Sequence, residues 1–545
     1  MKHIIITVLF LMCIFQNAVS QNWQWAKSAG GVNFDGGYEV ILDGNNDLYV
    51  VGSFESANCY FSTDTLHMIG DDDMFFAKYD NNGNELWVKR LGGNNPVDFT
   101  NNTSEEIGGI VYDSTTNSIY LSGNFYGSAS FGTFNLLGSG NEIFLAKYDL
   151  NGNCIWAKRA GGLGIDRGGR ICIDDSGNIY QTGSNENTAT FNSVSIPAGG
   201  FLAKYDNNGN CLWAKKVFEK DFEASYVQIS EMKMFSGDLL LTGGSANDTT
   251  VIDTATLIST NYNNLVLAVF DTSGTVKWAK LGGGSECLSF SMDIDNDHNI
   301  YMTGTFSGSI QFDSVSLSSP ASNDLFFIKF DSTGSFKWVK QLNASLNATG
   351  SILKTDGEGT IYITGKFAGS ASFGAYNISS VSNPDMFLAR YANNGDCIGV
   401  RHTGKATGWG LTTDGNGSVY VGGFIYNTVN FDSHQVTSRG DADIFIAKSD
   451  AITGIEVEGR MANNQLLIYA NPNAGKCNIT VPDDFLHEKN LTLSIYDNTG
   501  KLIQQTTLQM NDGIIKLNLE AEAKGTYSVI LSNSSKAYNG KIVFE

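Results

Sequence analysis

The sequence predicts an all-β protein: a seven-bladed β-propeller closed by its N-terminal strand, followed by a small C-terminal β-sandwich. Three observations carry that expectation. Short motifs recur seven times along the chain, tight-turn sequences join them in pairs, and the composition suits many short strands. Glycine numbers 61 of 545 residues and proline only 6, so turns are plentiful and few residues interrupt paired strands. An apolar fraction of 42% with 12% aromatics can bury a large core, which excludes a disordered or collagen-like chain.

The first motif is an apolar run ending at a turn: Met74–Asp80, Ile143–Asp149, Phe201–Asp206, Leu265–Asp271, Leu325–Asp331, Met386–Ala392 and Ile444–Asp450. The second is a strand ending in glycine, at Gly52, Gly123, Gly183, Gly243, Gly304, Gly365 and Gly423, with an aromatic three residues earlier except at Leu240. The third is Trp-Ala/Val-Lys, beginning at Trp25, Trp87, Trp156, Trp213, Trp278 and Trp338, with Gly399-Val400-Arg401 in the seventh place. Successive copies lie 57 to 71 residues apart.

Turn chemistry pairs the motifs. Asp80-Asn81-Asn82-Gly83 and its counterparts ending at Gly152, Gly209, Gly274 and Gly334 suit a type I turn followed by a glycine at positive φ, a three-residue hairpin loop joining motif one to motif three. Similar turns, such as Asp174–Gly177 and Asp356–Gly359, join motif two to an upstream strand. Each repeat therefore supplies four antiparallel strands, and radial repetition of such sheets is a propeller. The chain opens on a fourth-strand motif, Trp23–Lys27, and its last repeat stops after a third strand at Asp450. Residues 22–30 are thus expected to complete blade seven; an open solenoid or a differently closed ring is the alternative. The tryptophans are expected to serve blade packing.

Residues 1–20 read as a secretory signal: Lys2, an apolar run from Ile4 to Phe15, and Ala18-Val19-Ser20 before a cleavage between Ser20 and Gln21. The run is too short to span a bilayer and no later one approaches about 18 residues, so no transmembrane segment is expected in the mature protein. A formal charge of −21 argues against nucleic acid or an anionic membrane as partner. Beyond the signal the cysteine count is odd, no C-x-x-C occurs, and the histidines show no ligand spacing, so no disulfide framework, metal or cofactor is expected.

The repeats occupy 21–451, and 452–545 differs: alternating runs at Gln465–Tyr469, Leu491–Tyr496, Ile514–Leu519, Thr526–Leu531 and Lys541–Phe544 read as a small sandwich. Leu467–Gly475, Ile495–Leu502, Gly525–Val529 and Lys541–Val543 together resemble the type A C-terminal sorting domain of the bacterial type IX secretion system over about 80 residues, departing from its pattern at Ala470. The positions carrying the resemblance are Tyr469, Asn471, Pro472, Gly475, Gly500, Lys501, Gly525 and Tyr527. It implies the type IX machinery as partner, passage through the periplasm, export across the outer membrane, removal of the domain, and surface attachment or release. The repeats likewise resemble the secreted bacterial seven-bladed propeller repeat family, which implies a fold and no particular activity.

Catalytic motifs are scarce. No G-x-S-x-G or H-E-x-x-H occurs, and Gly399–Ala406 nearly matches a phosphate loop but lacks the hydroxyl that would hold magnesium. Asp293, Asp295 and Asp297 alternate like a calcium loop but continue into the repeat's own hairpin, so a turn is expected. No catalytic residue is nominated. Candidate binding residues lie where repeats vary or carry exposed-type aromatics: Phe99 in the long Asn94–Glu106 stretch, Phe222 in Phe218–Glu223, and Tyr38, Phe290 and Trp409 at one shared position near the start of the innermost strand. The expected function is a secreted or surface binding module for an extracellular glycan or protein; the alternatives are a carbohydrate-active hydrolase or lyase, and a structural surface or matrix protein.

Overall fold

The computed structural model describes residues 23–70, 72–93, 105–218, 228–245, 249–258, 264–284, 287–374, 376–450, 454–455, 466–469, 475–481, 485, 491–497, 501–508, 514–519, 523–533 and 537–544. Among them strands dominate and no α-helix occurs. The chain forms two compact units that divide between Glu456 and Val457.

In the first unit the repeats become four-stranded antiparallel meanders, numbered here in chain order. Meander I runs Asp35–Leu42, Leu48–Phe54, Asp73–Tyr79 and Glu85–Gly93, each strand pairing with the next. II starts at Glu106, III at Asp166, IV at Gln228, V at Cys287 and VI at Asn347, all with the same pairing order. Meander VII takes Ala406–Thr413, Val419–Phe431 and His434–Ser449 from the end of the repeats, and Trp23–Ala29 is its fourth strand. The first strand of each meander packs on the first strand of the next, and that of VII packs on that of I. The hairpin between second and third strands reaches back to the preceding meander's outer strand, as in Gly93↔Ala129, Ala160↔Phe191 and Asn343↔Ser372.

The repeated residues act between meanders as much as within them. Trp25, Trp87 and Trp156 donate their indole N–H to the carbonyls of Asn81, Leu150 and Asn207, in the third-to-fourth turn of the following meander, at 3.1 to 3.2 Å. The same ring covers that turn's glycine: a Cβ on Gly83 would stand 2.7 Å from Trp25, and one on Gly274 2.7 Å from Trp213. Glycine is required there twice over, by the ring above it and by φ near +76°. Burying one such ring is worth about 4–6 kcal/mol as an upper bound. The motif-one lysine lies over the motif-two tyrosine, as Lys78 over Tyr49 and Lys329 over Tyr301, each at 4.9 Å. Where Leu240 replaces the tyrosine, its cross-strand partner is Val269 instead of lysine.

Gly399, which replaces the tryptophan in meander VI, has a topological reason. Its indole would cover the third-to-fourth turn of meander VII, and VII has no such turn because its fourth strand comes from the chain's start. Gly454–Ile455 pairs there instead, parallel to Gly399–Val400.

In the second unit Leu467–Tyr469, Lys476–Thr480 and Ile514–Asn518 form one sheet, and Leu502–Leu508, Leu491–Tyr496, Gly525–Ser532 and Ala537–Phe544 form another. Ile479, Leu491, Ile495, Val529 and Ile542 are buried in a shared core. Two of these strands, Lys476–Thr480 and Leu502–Leu508, lie outside the runs expected from alternation.

Candidate functional site

A β-bulge interrupts every first strand at the same place, with register shifts at Gly37/Glu39, Ile107/Gly109, Gly168/Ile171, Ile229/Glu231, Ser289/Ser291, Gly350/Ile352 and Gly408/Gly410. Bulges re-aim side chains and twist the strand. Tyr38, Phe290 and Trp409 are the extra residues of three of them. The structure brings two together: the Tyr38 and Trp409 rings lie 5.3 Å apart. Trp409 in turn meets Phe424 edge-on at 4.7 Å, and Phe424 meets Phe34 at 5.2 Å and Tyr426 at 5.5 Å. Phe424 is buried while the other four are partly exposed, so they form an aromatic ledge over meanders VII and I. Phe290 stands in meander V, away from this group. Phe99 and Phe222 lie outside the described residues.

Carboxylates border the ledge. The Tyr38 hydroxyl bonds Ser53 Oγ at 2.6 Å, and burial, with Glu106, Glu55 and Asp72 adding repulsion, pushes it up to about 12. Burial also raises Glu55, helped by exposed Asp441, which acts on Tyr426 as well. Stacking surface beside hydrogen-bond acceptors suits a sugar ring or an aromatic or cationic side chain.

Beneath the bulges lies an ionic network. Arg170 Nη1 in meander III reaches Glu39 Oε2 in meander I at 3.3 Å. It passes meander II, where Gly108 and Gly109 carry no side chain; a Cβ on Gly108 would stand 2.3 Å from the Gly168 carbonyl. Arg170 Nε also donates to Ser230 O at 2.8 Å, and Lys233 approaches Asp293 Oδ1 at 3.6 Å. Burial alone would raise Glu231, but Lys233, Arg170 and Lys354 outweigh it and hold the carboxyl low. Burial and the neighbouring Lys233 lower Lys354. Glu39, Glu231, Asp293 and Glu106 thus face Arg170, Lys233, Lys354 and Arg167 where the first strands converge.

The other candidates resolve into structure. Asp295 accepts the N–H groups of Asp297 and Asn299 and the Tyr301 hydroxyl, a turn-capping role, while Asp293 accepts from Thr355 N at 2.9 Å. The phosphate-loop-like residues Gly399–Gly404 lie on a strand. Among the described residues the cysteines form no disulfide, and four of them are buried.

Sequence reasoning missed Phe34, Phe424, Tyr426 and the ionic network. A signal existed for the last: Glu39, Arg170 and Glu231 occupy one repeat position, and Lys233, Asp293 and Lys354 another two residues on. Charges recurring in one column of otherwise apolar inner strands mark a place where strands from several repeats meet.

In the second unit, Gly475 has φ +94° and its carbonyl accepts from Leu519 N at 2.6 Å. Lys501 N–H closes a turn onto Asp497 Oδ1 at 3.0 Å. Tyr469 pairs with Asn478, Gly525 pairs with Phe544, and buried Tyr527 bonds the Ala523 carbonyl. Asn471, Pro472, Gly500, Ser20 and Gln21 fall outside the described residues. Residues 467–545 match the family model described as a secretion system C-terminal sorting domain. This segment is a type IX sorting tail. The tail implies export out of the cell and interaction with the type IX machinery. No helix among the described residues is long and apolar enough to cross a membrane.

Other similarities are distant. An uncharacterized WD repeat-containing protein, L264 of Acanthamoeba polyphaga mimivirus, is 26% identical over 34% of this chain and 16% of its own length, so the chain spans about a sixth of that relative. Among solved structures, polysaccharide lyase Uly1 aligns with a TM-score of 0.40 at 8% identity, covering 76% of this chain and 90% of that one. The phage phi92 endosialidase aligns with a TM-score of 0.36 at 11% identity, covering 96% and 87%. At these identities the likenesses concern the fold alone.

Proposed function

We propose that this protein is a secreted or cell-surface binding module. In this reading residues 21–451 are a seven-bladed β-propeller closed by the N-terminal strand, residues 1–20 are a signal peptide cut between Ser20 and Gln21, and residues 452–545 are a sandwich delivering the protein to the type IX machinery by way of the periplasm. The pairing of Trp23–Ala29 with Ile444–Ser449 and the contact between the first strands of VII and I support closure. Deleting residues 22–31 tests it: a monomer of unchanged heat stability would overturn it.

The observation that carries the binding role is the aromatic ledge of Tyr38, Trp409, Phe34 and Tyr426 with its carboxylate border. It offers stacking rings beside hydrogen-bond acceptors, which is recognition surface. The ligand is an extracellular glycan or protein. A glycan array run beside turnover assays on the same polysaccharides is the decisive experiment. Binding that Trp409→Ala abolishes, with no product, is the expected result; product formation would replace this reading with a hydrolase or lyase, and silence in both with a structural surface protein.

A further inference from the structure

At three successive junctions between meanders, two buried carboxyls face a single guanidinium. Between I and II these are Asp73, which opens a third strand, and Glu105, just ahead of a first strand, at 0% and 6% exposure. A Cβ on Gly92 would stand 2.9 Å from Asp73 Oδ1 and 2.0 Å from Glu105 Oε2, so both oxygens crowd one point. Arg90 Nη1 reaches Asp73 at 2.6 Å, Gly93 N–H donates to Glu105, and Asp72 is the remaining acid facing the pair. Between II and III, Glu142 and Asp166 repeat the arrangement: a Cβ on Gly161 would stand 2.4 Å from Glu142 Oε2 and 2.8 Å from Asp166 Oδ2. Arg159 bonds Glu142 Oε1 at 2.8 Å, Gly162 N–H donates to Asp166, Glu186 faces Asp166, and Glu142 Oε2 accepts no hydrogen bond among the described residues. Between VII and I the pair is Asp443 and Asp35, both fully buried, with Asp443 beside Gly30 and Asp35 adding repulsion to it. Asp35 accepts from Gly31 N, Glu55 N, Ser56 N and Ser56 Oγ; Arg439 is the cation facing Asp443, Cys59 the neighbouring thiol, and Asp443 Oδ1 accepts no hydrogen bond among the described residues.

One guanidinium neutralises one carboxylate. A second carboxylate in the same water-poor site has no compensating charge, and such a group takes up a proton instead. We infer that each of these three junctions is locked by a proton held on its carboxyl pair, so that alkali loosens meanders VII, I, II and III against one another. The environment of each pair agrees. Burial pushes Asp73, Asp166 and Asp443 up to about 6 and Glu105 up to about 8, and raises Asp35 and Glu142. For a carboxyl raised on folding, the stabilisation is complete below its unfolded value and is lost as pH rises through the folded one. The loss therefore begins near pH 4 and runs to about pH 6 for the three aspartates and to about pH 8 for Glu105.

Calorimetric unfolding of the whole chain at about pH 5.5, in buffers of different ionisation heat, tests the inference. The expected result is release of about one proton per junction on unfolding, and a melting temperature that falls as pH is raised to about 8.5. Asp166→Asn should remove about one of the released protons, and Glu105→Gln another at a separate junction. No release at that pH, a melting temperature that stays level or climbs with pH, or an unchanged proton count in whichever variant folds would overturn the inference.

Discussion

The junctions on the two sides of the repeat array use the same backbone positions for opposite electrostatics. Where VI meets VII, Asp385 occupies the position of Asp73, but Ala406 stands where Glu105 and Asp166 stand elsewhere. Asp385 has no second acid to contend with. Burial would raise it, but His402 at 3.2 Å, Ser382 Oγ and the N–H groups of Val381 and Ser382 outweigh that and hold it below the ordinary range. Between V and VI the groups are placed alike, with Asp324 bonded to Gln341 and Ala344 N and with Ala348 in the second place. Between IV and V the second place holds Cys287, whose Sγ would lie 2.8 Å from a Cβ on Gly283. The lesson is that a buried acid is set by its donor count. With several donors and no rival it is a stabilising anion, whereas with a rival it becomes a proton carrier. Asp385 accordingly stabilises above its unfolded value near 3.8 and loses that as pH falls, opposite in sign to Asp73, Glu105 and Asp166.

Four substitutions break or sharpen this contrast, in descending order of effect. Asp385→Ala strands several buried donors and should cost about 3 kcal/mol in urea unfolding at pH 7, since each unsatisfied group costs about 1–3 kcal/mol. Ala348→Asp converts the V/VI junction to the double-acid kind. It should destabilise by about 1–3 kcal/mol more at pH 8 than at pH 5, read as the difference between two denaturant curves. Arg159→Gln removes the guanidinium beside Glu142; because Arg159 is partly exposed, about 1 kcal/mol is expected at pH 8 and less at pH 5, by the same measurement. Glu105→Gln should be nearly neutral at about pH 4 and stabilise increasingly as pH rises, by about 1 kcal/mol or more at pH 9, where the wild-type carboxylate is ionised. Equal effects of Ala348→Asp at both pH values would leave the contrast a matter of volume rather than charge.

Local features were legible because their causes are local. In Asp80–Gly83 the aspartate accepts from Asn82 and Asn84 N–H, and Gly83 sits at φ +76°, as the turn residues require. The hairpins joining the motifs follow from turns of a few residues. In the second unit the signal was weaker. Leu502–Leu508 is mostly exposed and carries Gln504, Gln505, Thr506 and Thr507, so it shows no apolar alternation, and Lys476–Thr480 is short. The site divides the same way. Tyr38, Phe290 and Trp409 stood out as aromatics in a shared column, but only long-range contact joins Tyr38 to Trp409 and adds Phe424 beside them.

What the sequence determined by itself was therefore the repeat: three motifs, their turns, four antiparallel strands from each copy, and a distinct sorting tail. Tertiary structure decided the neighbours. It placed Trp23–Ala29 beside Ile444–Ser449, gave Gly399 its reason in a turn that meander VII lacks, and set Asp73 against Glu105 and Glu142 against Asp166. The physical reason is range. Turn geometry is an affair of adjacent residues, whereas a buried charge answers to every group that packing brings near it, whichever repeat supplies it.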